Sequence, residues 1–351
     1  MSQVQPQAQP QVQPQVQPKD GAPIVAVLGA GSWGTALAHL VAVKGAQTRL
    51  WARDPVAVQR LTSTHENDKY LPGARLENVR FYADLEEVLR DAQWIVSAIP
   101  CAGVPGLASH LVNLMEPHAI VVNGTKGLHP ENGLRPAQIW EQQAGISGAR
   151  YVALSGPNLA REIVLGVPTA TVVASQEEAS ARAAQELFNT PSFRVYTNTD
   201  LIGVELGGAL KNVVAIAAGM GDGLGFGDNS KATLVTRAWQ EMMRLAVAFG
   251  AREATLWGIS GLGDLLATCV SKYSRNRNLG EHIAKGESLR FAQGEIMQVA
   301  EGVNTTRAAL QLAREADVEL PVTEQIAAVL FEGRDVRMAV QELMNRAGCR
   351  E

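Results

Sequence analysis

The sequence predicts an α/β fold: a doubly wound, mainly parallel sheet followed by an all-α second half. Three observations carry that prediction. Short β-branched runs alternate with helical patterns up to about residue 196. Those runs are apolar almost throughout, as strands covered on both faces are. Beyond residue 197 the β signals fade and long helical periodicities take over. A chain of 351 residues exceeds what one core usually fills. Two units are therefore expected, at 23–196 and 197–347, behind a tail at 1–22.

The tail, "MSQVQPQAQPQVQPQVQPKD", repeats Gln, Pro and Val. Recurrent proline blocks helices and ladders, so this segment is expected to be disordered and partly polyproline II. It lacks the basic start and apolar run of a secretory signal, and no later segment reads as a membrane span. Hydrophobic residues make up 46% of the chain and charged ones 19%, the balance of an ordinary globular protein. A net charge of −4 without a Lys/Arg stripe argues against a nucleic acid partner. Cys101, Cys269 and Cys349 are far apart and match no zinc or disulfide spacing, as expected of a cytoplasmic protein with reduced thiols. No His/Cys/carboxylate cluster suggests a metal.

The first unit opens with "APIVAVLGAGSWGTALAHLVAVKGAQTRLWARD". A strand at Ile24 to Leu28 leads into a glycine turn, then a helix from about Trp33 to Lys44 ended by Gly45, then the strand "TRLWA". Gly29, Gly31 and Gly34 have the spacing G-x-G-x-x-G inside this βαβ unit, the Rossmann arrangement for a dinucleotide. Gly29 permits the tight turn, Gly31 lets the backbone approach a pyrophosphate, and Gly34 lets helix and strand pack closely. An acid at the end of the second strand would select NADH, an arginine NADPH. Arg53 and Asp54 offer both, and the better-placed Arg53 favours NADPH.

Further strands are expected at "WIVSAIP", "AIVVNGTKG", "YVALSG", "TATVVAS" and "FRVYTN", with helices such as Asp84 to Arg90 and Gln176 to Phe188 between some of them. Ligands of such sheets sit beyond the carboxyl ends of the strands, which singles out "IPCAGV", "NGTKG" and "SGPNLARE". Lys126, between Gly124 and Gly127, suits an anionic ligand there, or is a solvated loop lysine. Asn158 is expected to cap a helix that contains Pro157 early.

The second unit begins with an apolar helix at 203–220 that carries Lys211. A helix apolar all round is a buried one, and a buried lysine needs a partner. Its same-face neighbours Gly207, Gly208, Val214 and Ala215 allow another body to approach closely. Desolvation there should lower its pKa and suit it to proton exchange. A glycine-rich loop, "GMGDGLGFGDN", and a helix from about Ser230 to Phe249 follow. Asp264, at a helix start, either orients Lys211 or is an ordinary first-turn acid. Ser274, Arg275 and Asn276 in "YSRNRN" have the chemistry of a phosphate cradle, or form an exposed basic loop.

Together "GAGSWGTALA", "NGTKGL", "SGPNLA", "ELGGALKNVVAIAAGMGDGLGFGDNSKA", "GLGDLLATC", "SRNRNLG" and "AEGVNTT" resemble, in order, the bacterial NAD(P)-dependent glycerol-3-phosphate dehydrogenases. The resemblance implies reduction of dihydroxyacetone phosphate to sn-glycerol 3-phosphate for phospholipid synthesis, by a cytoplasmic homodimer acting on a small phosphorylated substrate. It implies that Ser32, Trp33, Arg53, Lys126, Ala160, Arg275, Val299 and Glu301 contact NADPH or NADH. Lys126, Gly156, Asn158, Lys211, Asp264, Ser274, Arg275 and Asn276 would line the substrate, with Lys211 as proton donor and acceptor. Position 158 departs from the Ser or Thr usual in that motif, and Leu159 replaces an aromatic residue. Competing expectations are a hydroxyacid dehydrogenase of the 6-phosphogluconate or 3-hydroxyisobutyrate type, and a non-catalytic nicotinamide sensor.

Overall fold

The computed structural model describes residue 18 and residues 21–296 and 299–345. Most of the expected tail, the last residues of the expected second unit and Cys349 therefore lie outside the described residues.

Eight strands form one sheet: β1 (Ile24–Leu28), β2 (Gln47–Trp51), β3 (Val79–Tyr82), β4 (Trp94–Ser97), β5 (Ile120–Asn123), β6 (Tyr151–Ser155), β7 (Thr169–Ala174) and β8 (Phe193–Asn198). Their order is β3-β2-β1-β4-β5-β6-β7-β8. The first six pair in parallel, and β1 lies between β2 and β4, so the winding reverses at β1 and β4. β7 runs antiparallel to β6, and β8 runs parallel to β7. The expectation of a mainly parallel sheet holds for six strands. After β6 the chain turns back through one five-residue helix, without the long crossover that a parallel return needs. β3 is only four residues long, VRFY, and Arg80 interrupts its apolar residues, so it does not stand out as a continuous run in the sequence.

The helices between the strands are α1 (Ser32–Val43), α2 (Pro55–Thr64), α3 (Leu85–Leu89), α4 (Val104–Leu111), α5 (Pro136–Ala144), α6 (Ala160–Val164) and α7 (Glu178–Phe188). Apolar side chains from α1 and α7 cover one face of the sheet. Those of α3, α4 and α5 cover the other. Both faces of the central strands β1, β4, β5 and β6 are thus dry, which explains their apolar runs, whereas β2, β3 and β8 each carry exposed residues.

The second half comprises α8 (Leu201–Gly223), α9 (Asp228–Ala248), α10 (Glu253–Leu256), α11 (Asp264–Val270), α12 (Arg275–Ala284), α13 (Leu289–Glu295), α14 (Gly302–Glu315), α15 (Pro321–Glu332) and α16 (Val336–Met344). A π turn at Ile259–Gly263 leads into α11. α8 is the axis of this half, and every residue from Gly203 to Met220 is buried. Contrary to the sequence reading, α8 is long and apolar enough to cross a membrane, but 94% of its most apolar window is buried inside the protein.

The glycine-rich loop expected at 219–229 is mostly helix. Gly219 and Gly223 lie in the last turns of α8, where a β-carbon on Gly219 would stand 1.8 Å from the Arg277 carbonyl oxygen. A β-carbon on Gly280 of α12 would stand 2.0 Å from the Ile216 carbonyl oxygen. These glycines let two helix backbones touch, so they serve packing. Asp222 secures the end of α8 by pairing with Arg277 and Lys231, each at 2.6 Å.

Candidate active site

The site begins at the turn after β1. Gly29 has φ +112°, and a β-carbon on Gly34 would fall 1.8 Å from the Gly29 carbonyl oxygen, so α1 packs directly on the turn. Gly31 differs from both. It is the N-cap of α1, supplies no side-chain cap, and a β-carbon there would meet no heavy atom within 4 Å. The first N–H groups of a 12-residue helix are thus left for an anion, with open space at Gly31. The residues present suit a dinucleotide. The hydroxyl of Ser32 donates to the Tyr70 carbonyl, and the indole N–H of Trp33 donates to the Gly124 carbonyl at 3.0 Å. These two bonds brace the turn against neighbouring loops.

At the end of β2 the two candidate selectors separate. Asp54 is the N-cap of α2, and its carboxylate accepts the Val56 N–H at 3.0 Å. Arg53 is exposed and makes no side-chain hydrogen bond or ion pair among the described residues. The acid is engaged and the guanidinium is available.

Across the crevice, Asp264 holds two ammonium groups. Its Oδ1 accepts from Lys211 at 2.6 Å and its Oδ2 from Lys126 at 2.8 Å. Lys211 also donates to the Thr268 hydroxyl at 2.6 Å, and that hydroxyl donates to the Asp264 carbonyl. Lys126 gives a second proton to the Gly156 carbonyl at 2.7 Å. Loops from β5 and β6 are thereby tied to α8 and α11. The partner that a buried Lys211 requires is Asp264, whose side chain is 2% exposed. The small neighbours of Lys211 admit the sheet: a β-carbon on Gly208 would meet Ser155 Oγ at 2.4 Å and Lys126 Cγ at 3.7 Å. Burial depresses the pKa of Lys126 to about 8; Asp264 opposes the shift, while Lys211 and Arg275 add to it.

The segment "YSRNRN" is the start of a helix rather than a loop. Ser274 is the N-cap of α12, its hydroxyl accepting the Arg277 N–H at 3.3 Å, and Arg275 and Asn276 form the first turn. The guanidinium of Arg275 is exposed and donates to the Val299 carbonyl at 2.9 Å. The side chain of Asn276 is turned inward. Its Nδ2 donates to Asn212 at 2.8 Å, and its Oδ1 accepts the Gly302 N–H at 2.9 Å, cross-linking α8, α12 and α14. Glu301 reaches the sheet half, accepting the Cys101 N–H at 3.0 Å, and burial raises its pKa.

Asn158 does not cap a helix. The N-cap of α6 is Leu159, without a side-chain bond, because the Asn158 amide is turned towards β7, donating to the Thr171 hydroxyl at 2.9 Å. Gly156 lies against the same residue, with a β-carbon position 2.9 Å from Thr171 Cα. Ala160 opens α6 and packs with Ala36, Leu71 and Ala74 near Trp33. Sequence reasoning missed Thr268 and Glu205. Thr268 stands four residues after Asp264 on α11, a same-face spacing that could have been read. Glu205 accepts from Tyr151 at 2.7 Å, the Ala137 N–H at 2.9 Å and Arg135 at 2.7 Å.

An anion-binding turn at the sheet's switch point, across from a buried amine on a fixed carboxylate, is what a nicotinamide-dependent oxidoreductase requires, and that is the class defined here. Residues 24–181 match the profile of the NAD-dependent glycerol-3-phosphate dehydrogenase N-terminus, and residues 200–341 that of its C-terminus. A glycerol-3-phosphate dehydrogenase (NAD(P)+) of Nitratidesulfovibrio vulgaris is 47% identical over 92% of this chain and 98% of its own. One of Pelotomaculum thermopropionicum is 45% identical over 93% and 94% respectively. The crystal structure of glycerol-3-phosphate dehydrogenase from Coxiella burnetii superposes with a TM-score of 0.88 at 37% identity, covering 92% of this chain and 98% of that one. The chain belongs to the NAD-dependent glycerol-3-phosphate dehydrogenase family, and is an oxidoreductase that uses NADH or NADPH.

Proposed function

We propose that the chain reduces dihydroxyacetone phosphate at C2 to sn-glycerol 3-phosphate, reversibly, with NADPH favoured and with glycerophospholipid synthesis as its outlet. The observation that carries this reading is the single carboxylate of Asp264 shared by Lys211 and Lys126. The name shared by the relatives supplies the substrate. In this reading the sheet half, 23–196, holds the dinucleotide, and the helical half, 197–347, holds the substrate and the acid. The enzyme works in the cytoplasm as a homodimer.

When bound, the nicotinamide supplies a hydride to the carbonyl carbon. The chain's own residues do the rest. Gly29, Gly31, Ser32, Trp33 and Gly34 seat the pyrophosphate at the α1 N-terminus, and Arg53 takes the 2′-phosphate. The substrate phosphate meets the first N–H groups of α12, at Arg275 and Asn276, with the Arg275 guanidinium and Lys126 beside it; Ser274 caps that turn. Gly156 and Asn158 close the substrate's flank, while Ala160, Val299 and Glu301 border the cofactor. Lys211 stabilises the negative charge growing on the carbonyl oxygen and delivers the proton. Asp264 and Thr268 hold its ammonium in place, so little reorganisation is needed as that charge develops.

The test is oxidation of NADPH and of NADH, followed with dihydroxyacetone phosphate and with 3-oxoacids. Turnover of dihydroxyacetone phosphate, faster with NADPH, is expected. Turnover of 3-oxoacids alone would replace this reading with that of a hydroxyacid dehydrogenase.

A further inference from the structure

Beside Lys126, around a void that Asp264 does not line, the carboxyl ends of β5 and β6 hold two buried oxygens that the reaction above does not use. Asn123 ends β5 and is 1% exposed; Ser155 ends β6 and is 3% exposed. The Asn123 Nδ2 donates to the Thr125 carbonyl at 3.0 Å, but its Oδ1 has no partner among the described residues, and neither has the Ser155 hydroxyl. Buried polar atoms are rarely left so. Both residues line a void of about 10 Å³, together with Lys126, Glu205 and Gly208. That is close to the room one water needs, provided two to four polar partners surround it. An ammonium has three protons. Lys126 gives one to Gly156 and one to Asp264, which leaves a third.

We propose that this void holds one ordered water, bonded to Asn123 Oδ1 and Ser155 Oγ and to the third proton of Lys126, and that Asn123 and Ser155 are positioning residues acting through it. The inference rests on the proposed reading for its consequence, though not for the water itself. The loop that carries Lys126 is flanked by Gly124 and Gly127 and has little stiffness of its own. The water supplies the third anchor and fixes the amine where the substrate phosphate arrives. Glu205, which also lines the void, is clamped by Tyr151, Ala137 and Arg135, so that part of the wall is fixed. The charged groups facing Lys126 are Asp264 of α11, Lys211 and Glu205 of α8, and Arg275 of α12, with Glu301, the residue before α14, against Gly127.

Crystals of the full chain, grown with and without NADPH and diffracting well enough to show ordered water, test the site directly. A single peak within about 3.2 Å of both oxygens is expected in each. No peak, or its displacement when NADPH binds, overturns the site. Turnover of dihydroxyacetone phosphate by the unaltered enzyme is measured first, so that failure of the reaction is seen separately from failure of the water. Ser155→Ala should then raise KM for dihydroxyacetone phosphate by ~10-fold and change kcat by less than ~3-fold. Its basic limb in kcat/KM should move to lower pH, because the charged amine loses a partner. Asn123→Asp keeps the acceptor and should move that limb to higher pH. Melting curves confirm that both variants fold. An unchanged KM for Ser155→Ala, or limbs at the parent's pH in both variants, overturns the positioning role.

Discussion

Lys126 leaves β5 in a loop between two glycines, whereas Lys211 stands in the middle of a 23-residue helix. Both end on Asp264, yet they are held differently. The side chain of Lys126 is 17% exposed and leans on a backbone carbonyl; that of Lys211 is 8% exposed and has two side-chain partners on α11. The lysine on the helix is placed by packing, since Gly207, Gly208 and Gly219 bring neighbouring elements to α8. The lysine on the loop is placed by hydrogen bonds, which a ligand can compete for. A proton donor needs the first arrangement, and a group that must capture a phosphate can use the second.

Asp264→Asn breaks this comparison most severely, because it removes the anion from between two ammonium groups. A loss of ~10²-fold or more in kcat/KM is expected in steady-state assays. The pH profile adds a sign. In the proposed reading Lys126 holds the substrate phosphate and must be charged to do so; on that reading the parent's kcat/KM should fall as pH rises through about 8, and the variant's fall should begin at lower pH. A variant limb at or above the parent's would show that Asp264 does not sustain the charge on Lys126.

The glycine turn sharpens the contrast between packing and binding on the sheet side. Gly34→Ala drives a β-carbon into the Gly29 carbonyl and should cost about 1–3 kcal/mol of stability along with cofactor affinity. Gly31→Ala meets no protein atom, so its melting temperature should match the parent's while NADPH binds ~10-fold more weakly. Calorimetric melts and NADPH titrations separate the two; equal melting losses would mean that Gly31 is structural. Arg53→Gln should lower the NADPH-to-NADH ratio of kcat/KM by ~10-fold. An unchanged ratio would move selection elsewhere.

An effect on stability alone, leaving the site untouched, is expected at another buried carboxylate of the helical half. Glu241 caps α15, accepting the Val322 N–H at 2.8 Å and the Thr323 N–H at 3.2 Å, and burial raises its pKa to about 6. A raised folded pKa contributes stability that is full below about 4.5 and is lost as pH rises through about 6, on the order of 2 kcal/mol. Denaturation of Glu241→Gln against the parent should show the variant gaining in relative stability between pH 4.5 and 7. A pH-independent difference would contradict the raised pKa.

Much of this site was legible in the sequence, for identifiable reasons. The turn at Gly29 to Gly34 and the helix around Lys211 declare themselves because a short run of residues carries the whole constraint. Asp264 was visible only as an acid at a helix start, since its partners lie 53 and 138 residues away. Asn276 showed its chemistry but not its direction, because a side chain's inward turn depends on α8 and α14. The glycines at 219 and 223 were misread as a loop because close backbone packing and turns use the same residue. Asn158 was misread as a cap because its partner, Thr171, arrives from β7.

The measurement that bears most directly on the account is turnover of Lys211→Ala at saturating dihydroxyacetone phosphate, beside its affinity for NADPH. The account predicts that kcat falls by at least ~10²-fold while NADPH binds within ~3-fold of the parent. A kcat equal to the parent's would take the proton away from Lys211 and leave the buried ammonium without its proposed purpose.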